Sequence, residues 1–119
     1  MDQFRRIQPT QKDNVHVVLF KDKKILDDTV LDEIKAEVNR LIGTTQGIKM
    51  LLDFSQVEFM SSAMLGLLGQ LHRKVGTAKG TLKMCNIRPE IFQVFKLTNL
   101  DKLFSIHPDA AAALAKFPA

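Results

Sequence analysis

One segment constrains the fold more than any other, residues 52–69. It begins with apolar residues typical of a buried strand and passes through a short turn to two serines, Ser61 and Ser62. The residues that follow carry apolar side chains at helical spacing. The order therefore places two hydroxyl groups at a helix N-terminus, where free backbone N–H groups and the helix dipole favour a phosphate.

The rest of the chain alternates strands and helices after an initial pair of strands. The predicted strands lie at residues 4–8, 15–20, 50–52, 82–85 and 104–106, and a polar connection at 9–14 joins the first two into an antiparallel hairpin. The predicted helices begin near Asp28, Ser61, Pro89 and Asp109. We expect one α/β domain, residues 1–119, with a small, mixed, mostly parallel sheet and about four helices.

The helix after Ser61 has two faces when its residues are placed at about 100° steps. The inner face is apolar and holds Met64, Leu67, Leu68, Leu71 and Val75. The opposite row holds Ser62, Gly66, Gly69 and Arg73. A glycine inside a helix lowers stability by about 0.5–1 kcal/mol relative to alanine. Core packing does not explain the presence of two glycines on an exposed row. We interpret the row as a flat strip for a partner; the alternative is that the glycines are merely tolerated.

Composition argues against several classes of protein. The single cysteine, Cys85, excludes an internal disulfide and is expected to be a packed thiol in a strand. The net charge is +4, but the basic residues are scattered among acidic ones and no aromatic-rich patch accompanies them. This distribution argues against nucleic-acid binding. No run reaches the length of a membrane span and the first residues lack a signal-peptide hydrophobic region, so a cytosolic location is expected.

The sequence also argues against an enzyme. His16, His72 and His107 have no cysteine or carboxylate at metal-ligand or catalytic-triad spacing, and there is no glycine-rich phosphate loop. We therefore predict no catalytic, cofactor-binding or metal-binding residues. Asp53, at a strand end near the serines, is interpreted as a residue that orients the turn by hydrogen bonds.

The serine-bearing segment resembles the STAS domain of bacterial anti-sigma factor antagonists. The family pattern reads approximately Leu-Asp-Leu-Ser-x-Val-x-Phe-Met-Asp-Ser-Ser-Gly-Leu-Gly, and residues 52–66 match most of it. Leu26 and Asp27 are similar to a Leu-Asp loop before the family's first helix. Segments 86–90 and 97–104 resemble its C-terminal half, so the similarity spans nearly the whole chain.

The resemblance implies a function, a partner and a modification. In that family the serine at the position of Ser62 is phosphorylated by an anti-sigma factor that is also a serine protein kinase. A serine phosphatase reverses this, and only the unmodified form binds the anti-sigma factor and frees sigma. Ser62 is thus the expected phosphoacceptor, with Ser61 as the competing site. With the glycine row, the expected partner surface comprises Asp27, Ser61, Ser62, Gly66, Gly69 and Arg73.

The chain departs from the family pattern at three positions. Ser61 replaces the acidic residue, Ala63 replaces the second hydroxyl residue, and Met64 replaces the glycine. Either the kinase differs from the usual one or the switch is absent. The alternative function is a STAS accessory subunit of a lipid-transport or sensory complex that has no phosphorylation switch.

Overall fold

The computed structural model describes residues 4–118; the ends of the predicted domain, residues 1–3 and 119, lie outside the described residues. The described part forms seven strands and five helices. The strands are β1 (Ile7–Lys12), β2 (Val15–Phe20), β3 (Lys24–Ile25), β4 (Lys49–Asp53), β5 (Phe59–Met60), β6 (Thr81–Cys85) and β7 (Ser105–His107). The helices are α1 (Asp28–Ile42), α2 (Ser62–Thr77), α3 (Pro89–Leu97), α4 (Leu100–Leu103) and α5 (Ala110–Leu114).

The main sheet has five strands in the order β1-β2-β4-β6-β7. β1 pairs antiparallel with β2, and the other neighbours are parallel, including β4 with β6. The predicted mixed, mostly parallel sheet is therefore confirmed. A second, two-stranded sheet pairs β3 with β5. The sequence does not predict it, because strands of two residues carry no periodicity.

The first hairpin differs from the prediction in where its strands and turn lie. The predicted strand at 4–8 and loop at 9–14 are wrong, because β1 continues to Lys12 and the turn contains only Asp13 and Asn14. Both turn residues have positive φ, 53° and 68°, which is typical of a type I′ turn whose twist matches the strands. Pro9 is tolerated within β1 because this strand lies at the sheet edge.

Helix α1 begins at Asp28, as predicted, and ends at Ile42. The Val30 N–H donates a hydrogen bond of 2.9 Å to Asp27 Oδ1, which caps the first turn. Gly43 follows the last turn with a φ of 52°, and its N–H donates to the Asn39 carbonyl. Such a positive φ favours glycine, so the chain leaves the helix here at little cost.

Helices cover both faces of the main sheet, a point that the sequence alone does not decide. α1, α2 and α3 contribute to the larger core, which includes Leu52 and Met84 of the sheet. α5 packs on the other face against β4, β6 and β7. The smaller core there consists of Val15, Leu51, Cys85 and Ala113. Alternating residues of β4 and β6 thus belong to different cores, as the pleat requires.

Candidate partner-binding surface

The small β3–β5 sheet positions the two serines. The Ser61 N–H donates to the Ile25 carbonyl at 2.9 Å, and the N–H groups of Glu58 and Phe59 donate to the Lys23 carbonyl. Ile25 lies two residues before Asp27, the N-cap of α1. This pairing therefore joins the segment that starts α1 to the segment that starts α2.

Asp53 fixes the turn that leads to the serines. Its Oδ1 accepts hydrogen bonds from the Ser55 N–H at 2.9 Å and from Asn86 Nδ2 at 3.0 Å. The Phe54 N–H donates to the Cys85 carbonyl at 3.1 Å. The turn is thus tied to the end of β6, and the interpretation of Asp53 as an orienting residue is confirmed.

The two serines occupy different environments. Ser61 holds the N-cap position of α2, but its hydroxyl makes no capping bond. Its Oγ is buried and has no hydrogen-bond partner among the described residues. Ser62 is the first residue of α2 and is exposed. No acidic residue occurs in the first turn of α2, so the positive end of the helix dipole has no carboxylate there.

The predicted exposed row of α2 is present in the structure. Ser62, Gly66 and Arg73 are exposed and Gly69 is half-buried. A β-carbon added at Gly66 or Gly69 would have no heavy atom within 4 Å outside the helix's own backbone. Packing within the described residues therefore requires glycine at neither position. The opposite face is buried at Met64, Leu67, Leu68, Leu71 and Val75, as predicted.

A groove of about 870 Å³ lies beside the serines, and the sequence does not predict it. It runs between the β3–β5 sheet, the start of α2 and α3, and both serines line it. Its apolar lining consists of Leu26, Phe59, Met60, Leu65, Ile91 and Val94.

Three of the groove's apolar side chains are exposed to a large degree. The exposed fractions are 53% for Leu26, 54% for Phe59 and 41% for Val94. Val94 lies on the same helix as the buried Ile91 and Phe95 but on the side of α3 that faces the groove. Clustered exposed apolar side chains of this kind mark surfaces that bind another molecule.

Charged residues form the rim of the groove. Lys24, Glu58, Arg88 and Glu90 contribute two positive and two negative side chains. Arg88 Nη2 lies 3.9 Å from Glu58 Oε2, and the Lys24 ammonium lies 5.9 Å from the centre of the Phe59 ring. An exposed ion pair at this distance contributes little stability, so these side chains are free to make new partners.

Five of the six predicted partner residues therefore fall on two adjoining surfaces. Ser61 and Ser62 line the groove, whereas Gly66, Gly69 and Arg73 continue along the outer row of α2. Asp27 caps α1 and does not line the groove. Ser62 is the residue that belongs to both surfaces.

Residues 4–118 offer neither a metal site nor a membrane-spanning helix. Within that range no group of three histidine, cysteine or carboxylate side chains is arranged to hold a metal ion. None of the helices there is both long and apolar enough to cross a membrane.

The match to known proteins decides the family. A family model of the STAS domain matches residues 6–113. The chain belongs to the STAS domain family. This STAS domain is 21% identical over 91 residues to the anti-sigma F factor antagonist of Paenibacillus polymyxa, a match that covers 76% of this chain and 78% of that one.

Solved structures share the fold at low identity. The anti-sigma-factor antagonist STAS domain protein of Planctomyces limnophilus has a TM-score of 0.81 and 22% identity, over 92% of this chain and 94% of that one. The phosphorylated form of the Bacillus cell fate determinant SpoIIAA has a TM-score of 0.66 and 18% identity, over 92% and 97% of the two chains. The predicted fold and the family resemblance are confirmed.

Proposed function

We propose that this STAS domain is an anti-sigma factor antagonist that binds its anti-sigma factor through the start of α2. The observation that carries the proposal is the exposed Ser62, which lies between an apolar groove and a glycine row with no intramolecular packing role. The relationship to the Paenibacillus polymyxa antagonist supports it. The protein acts by binding and not by catalysis. A cytosolic location is part of the proposal, because sigma factors act there with RNA polymerase.

Phosphorylation of Ser62 is the proposed control of this binding. A phosphate adds about −1.5 to −2 charges at pH 7. At the first residue of a 16-residue helix, the free N–H groups and the dipole stabilise that charge, so the fold is retained. A partner seated on the apolar groove would have to bury the dianion, which is costly without compensating donors. The phosphorylated form of SpoIIAA, which has the same fold, supports a modification of this kind.

The proposed partner is an anti-sigma factor with serine kinase activity, and a serine phosphatase would reverse the modification. The first test incubates the protein with that purified kinase and ATP, and then locates the phosphate by intact-mass and fragment analysis. We expect one phosphate, on Ser62. A phosphate on Ser61, or none, would contradict the switch without excluding binding.

The second test separates charge at Ser62 from charge elsewhere. Ser62→Asp should weaken binding of the anti-sigma factor by at least tenfold in a titration, whereas Ser62→Ala should bind like the unmodified protein. Ser55→Asp is the matched control, because Ser55 is exposed in the preceding turn and undergoes the same change in charge. Equal weakening by both aspartates would show a general electrostatic effect. A stable complex whose affinity does not change when Ser62 or Ser55 is substituted would favour the accessory-subunit alternative.

The third test addresses the glycine row. Gly69→Arg should weaken binding by well over tenfold and leave the monomer folded, because a side chain at this position has open space. Ala36→Arg, which adds the same positive side chain at an exposed position of α1, is the control, because Gly76 continues the glycine row beyond Arg73. If Gly69→Arg leaves the affinity unchanged, the glycines are merely tolerated.

A further inference from the structure

The groove beside the serines continues onto an exposed part of α3. Ile91 and Val94 both line the groove and are three residues apart on this helix. Leu97 follows at the same spacing and is 82% exposed, more than any other large apolar side chain of residues 4–118. Residues three apart are neighbours on a helix surface. The three side chains therefore form an apolar ridge, the α3 ridge, which is buried at Ile91 and exposed at Leu97.

The small β3–β5 sheet forms the other wall of the groove. Leu26 and Phe59 line it from this side, and each is more than half exposed. The two walls come together at the start of α3, where Arg88 Nη2 lies 3.9 Å from Glu58 Oε2. Leu97 is the last residue of α3, so the groove leads from that contact along the α3 ridge.

The walls of the groove favour a helix as its occupant over an extended chain. An extended peptide binds through backbone hydrogen bonds to a strand edge, and β3 and β5 have only two residues each. A proline-rich segment docks in a groove lined by aromatic rings, whereas Phe59 alone is aromatic among the residues that line this one. The α3 ridge, in contrast, offers the kind of surface against which the side chains of a second helix pack.

The charges at the rim of the groove are balanced, which bears on the chemistry of the occupant. Lys24 and Glu58 lie on the side of the small sheet, and Arg88 and Glu90 lie on the side of α3. A nucleic acid or an anionic membrane would meet two carboxylates here. A protein helix that carries acidic and basic residues beside its apolar stripe can pair with side chains of both signs.

We propose that the partner inserts an amphipathic helix into this groove and packs it along α3 as far as Leu97. The inference rests on the proposed function, because it names the element of the anti-sigma factor that the groove receives. The apolar stripe of such a helix, at positions i, i+3, i+4 and i+7, covers the exposed apolar side chains of both walls: Leu26, Phe59, Val94 and Leu97. Ser62 lines the same groove, so a helix seated there meets a phosphate on Ser62 directly.

The first test does not depend on the natural partner. A synthetic peptide of about 15 residues, a length at which isolated helices begin to persist in water, carries leucine at helical spacing with glutamate and lysine between. It is titrated into the full chain and followed by amide and methyl NMR shifts. We expect saturable shifts at Leu26, Val94 and Leu97, and none with a peptide of the same composition whose leucines lack that spacing. Equal shifts from both peptides, or no saturation with either, would overturn the proposal.

The second test uses variants and the purified anti-sigma factor. Leu97→Gln should weaken its binding by about tenfold or more, because a leucine that would be covered in the complex is replaced by a polar side chain. The fold should be retained, since Leu97 is largely exposed in the free chain. Leu103→Gln is the matched control, because Leu103 is an exposed leucine on α4, outside the α3 ridge, and its loss should leave the affinity unchanged.

The outcomes separate this inference from the proposed function. If Leu97→Gln binds as tightly as the unmodified protein while Gly69→Arg binds weakly, the helix assignment is wrong and the proposed function stands. Equal weakening by Leu97→Gln and Leu103→Gln also contradicts the assignment. If the anti-sigma factor does not bind the unmodified protein, the proposed function fails and the peptide titration decides the groove. A sedimentation mass that rises with concentration, and that Leu97→Gln returns to the monomer, would assign the α3 ridge to a second copy and overturn the proposal.

Discussion

Glu37 anchors α1 to the start of the sheet, and its removal provides a quantitative test of that contact. The side chain is only 7% exposed. Its Oε1 accepts hydrogen bonds from the Arg6 and Ile7 N–H groups at 2.9 and 3.2 Å, and its Oε2 accepts one from the Arg5 N–H at 3.1 Å. Three successive backbone donors at the start of β1 therefore depend on one carboxylate.

We expect Glu37→Ala to lower the free energy of unfolding by about 3 kcal/mol. A buried N–H left without a partner costs about 1–3 kcal/mol, and this applies in full to Ile7. Water reaches the less buried N–H groups of Arg5 and Arg6, so these two lose only about 0.5–1 kcal/mol each. For a domain of this size, 3 kcal/mol corresponds to a fall in Tm of roughly 10 °C.

Urea unfolding followed by far-UV circular dichroism measures this change, since the chain has no tryptophan or tyrosine to report by fluorescence. Glu33→Ala is the matched control on the same helix. Its carboxylate pairs with Arg6 Nε at 3.0 Å near solvent, and such an ion pair contributes much less to stability than the contacts of Glu37. If the two variants lose equal stability, or if Glu37→Ala loses less than about 1 kcal/mol, the three hydrogen bonds do not anchor the helix as argued.

Further predictions concern the thiol, a glycine contact and a histidine. Burial raises the pKa of the Cys85 thiol to about 12, so iodoacetamide at pH 8 should modify it, by mass spectrometry, only when urea unfolds the chain. Gly80→Ala should lower the free energy of unfolding by about 1–3 kcal/mol in the same urea assay, because the new β-carbon would clash with the Ile48 carbonyl oxygen. Gly76→Ala, where the β-carbon has open space, should raise the free energy of unfolding by about 0.5–1 kcal/mol. Burial, Lys83 and Lys116 lower the pKa of His107 in the folded protein. As the pH drops, the imidazole of the unfolded chain is therefore protonated first, and the free energy of unfolding should fall below about pH 6.5. His107→Gln should reduce that fall between pH 7.5 and 5.5; an unchanged slope would contradict the assignment.

The elements that the sequence predicts well are those whose signals lie within one segment. α1 carries its cap at Asp27 and its stop at Gly43, and α2 carries a complete apolar stripe. The sequence pattern does not predict α4, because this helix has only four residues. It follows Asn99, whose positive φ of 61° turns the chain without the glycine that would mark such a turn. The hairpin register is not predicted either, because the polar residues of β1 are typical of a loop. The turn contains only Asp13 and Asn14.

The candidate surface is predictable in part for the same reason. Ser62 and the glycine row lie on one helix, so helical spacing alone groups them. The groove requires α3 to lie beside the start of α2, which depends on the strand order of the sheet and on no local pattern. The exposure of Val94 shows this limit: periodicity locates the centre of an apolar stripe, but neighbouring elements decide how much of it is covered.

Ser61 replaces the acidic residue of the family pattern, and this replacement affects how α2 would accommodate a phosphate on Ser62. An acidic residue at the N-cap, as in the family pattern, would itself compensate the helix dipole and would repel a phosphate on the next residue. Here Ser61 occupies that position, is neutral, and makes no capping bond through its hydroxyl. The first turn of α2 therefore retains more capacity to stabilise a negative charge at Ser62 than it would beside an aspartate. If Ser62 is phosphorylated as proposed, the substitution favours the folded state of the modified protein, and a loss of binding would then arise at the partner surface.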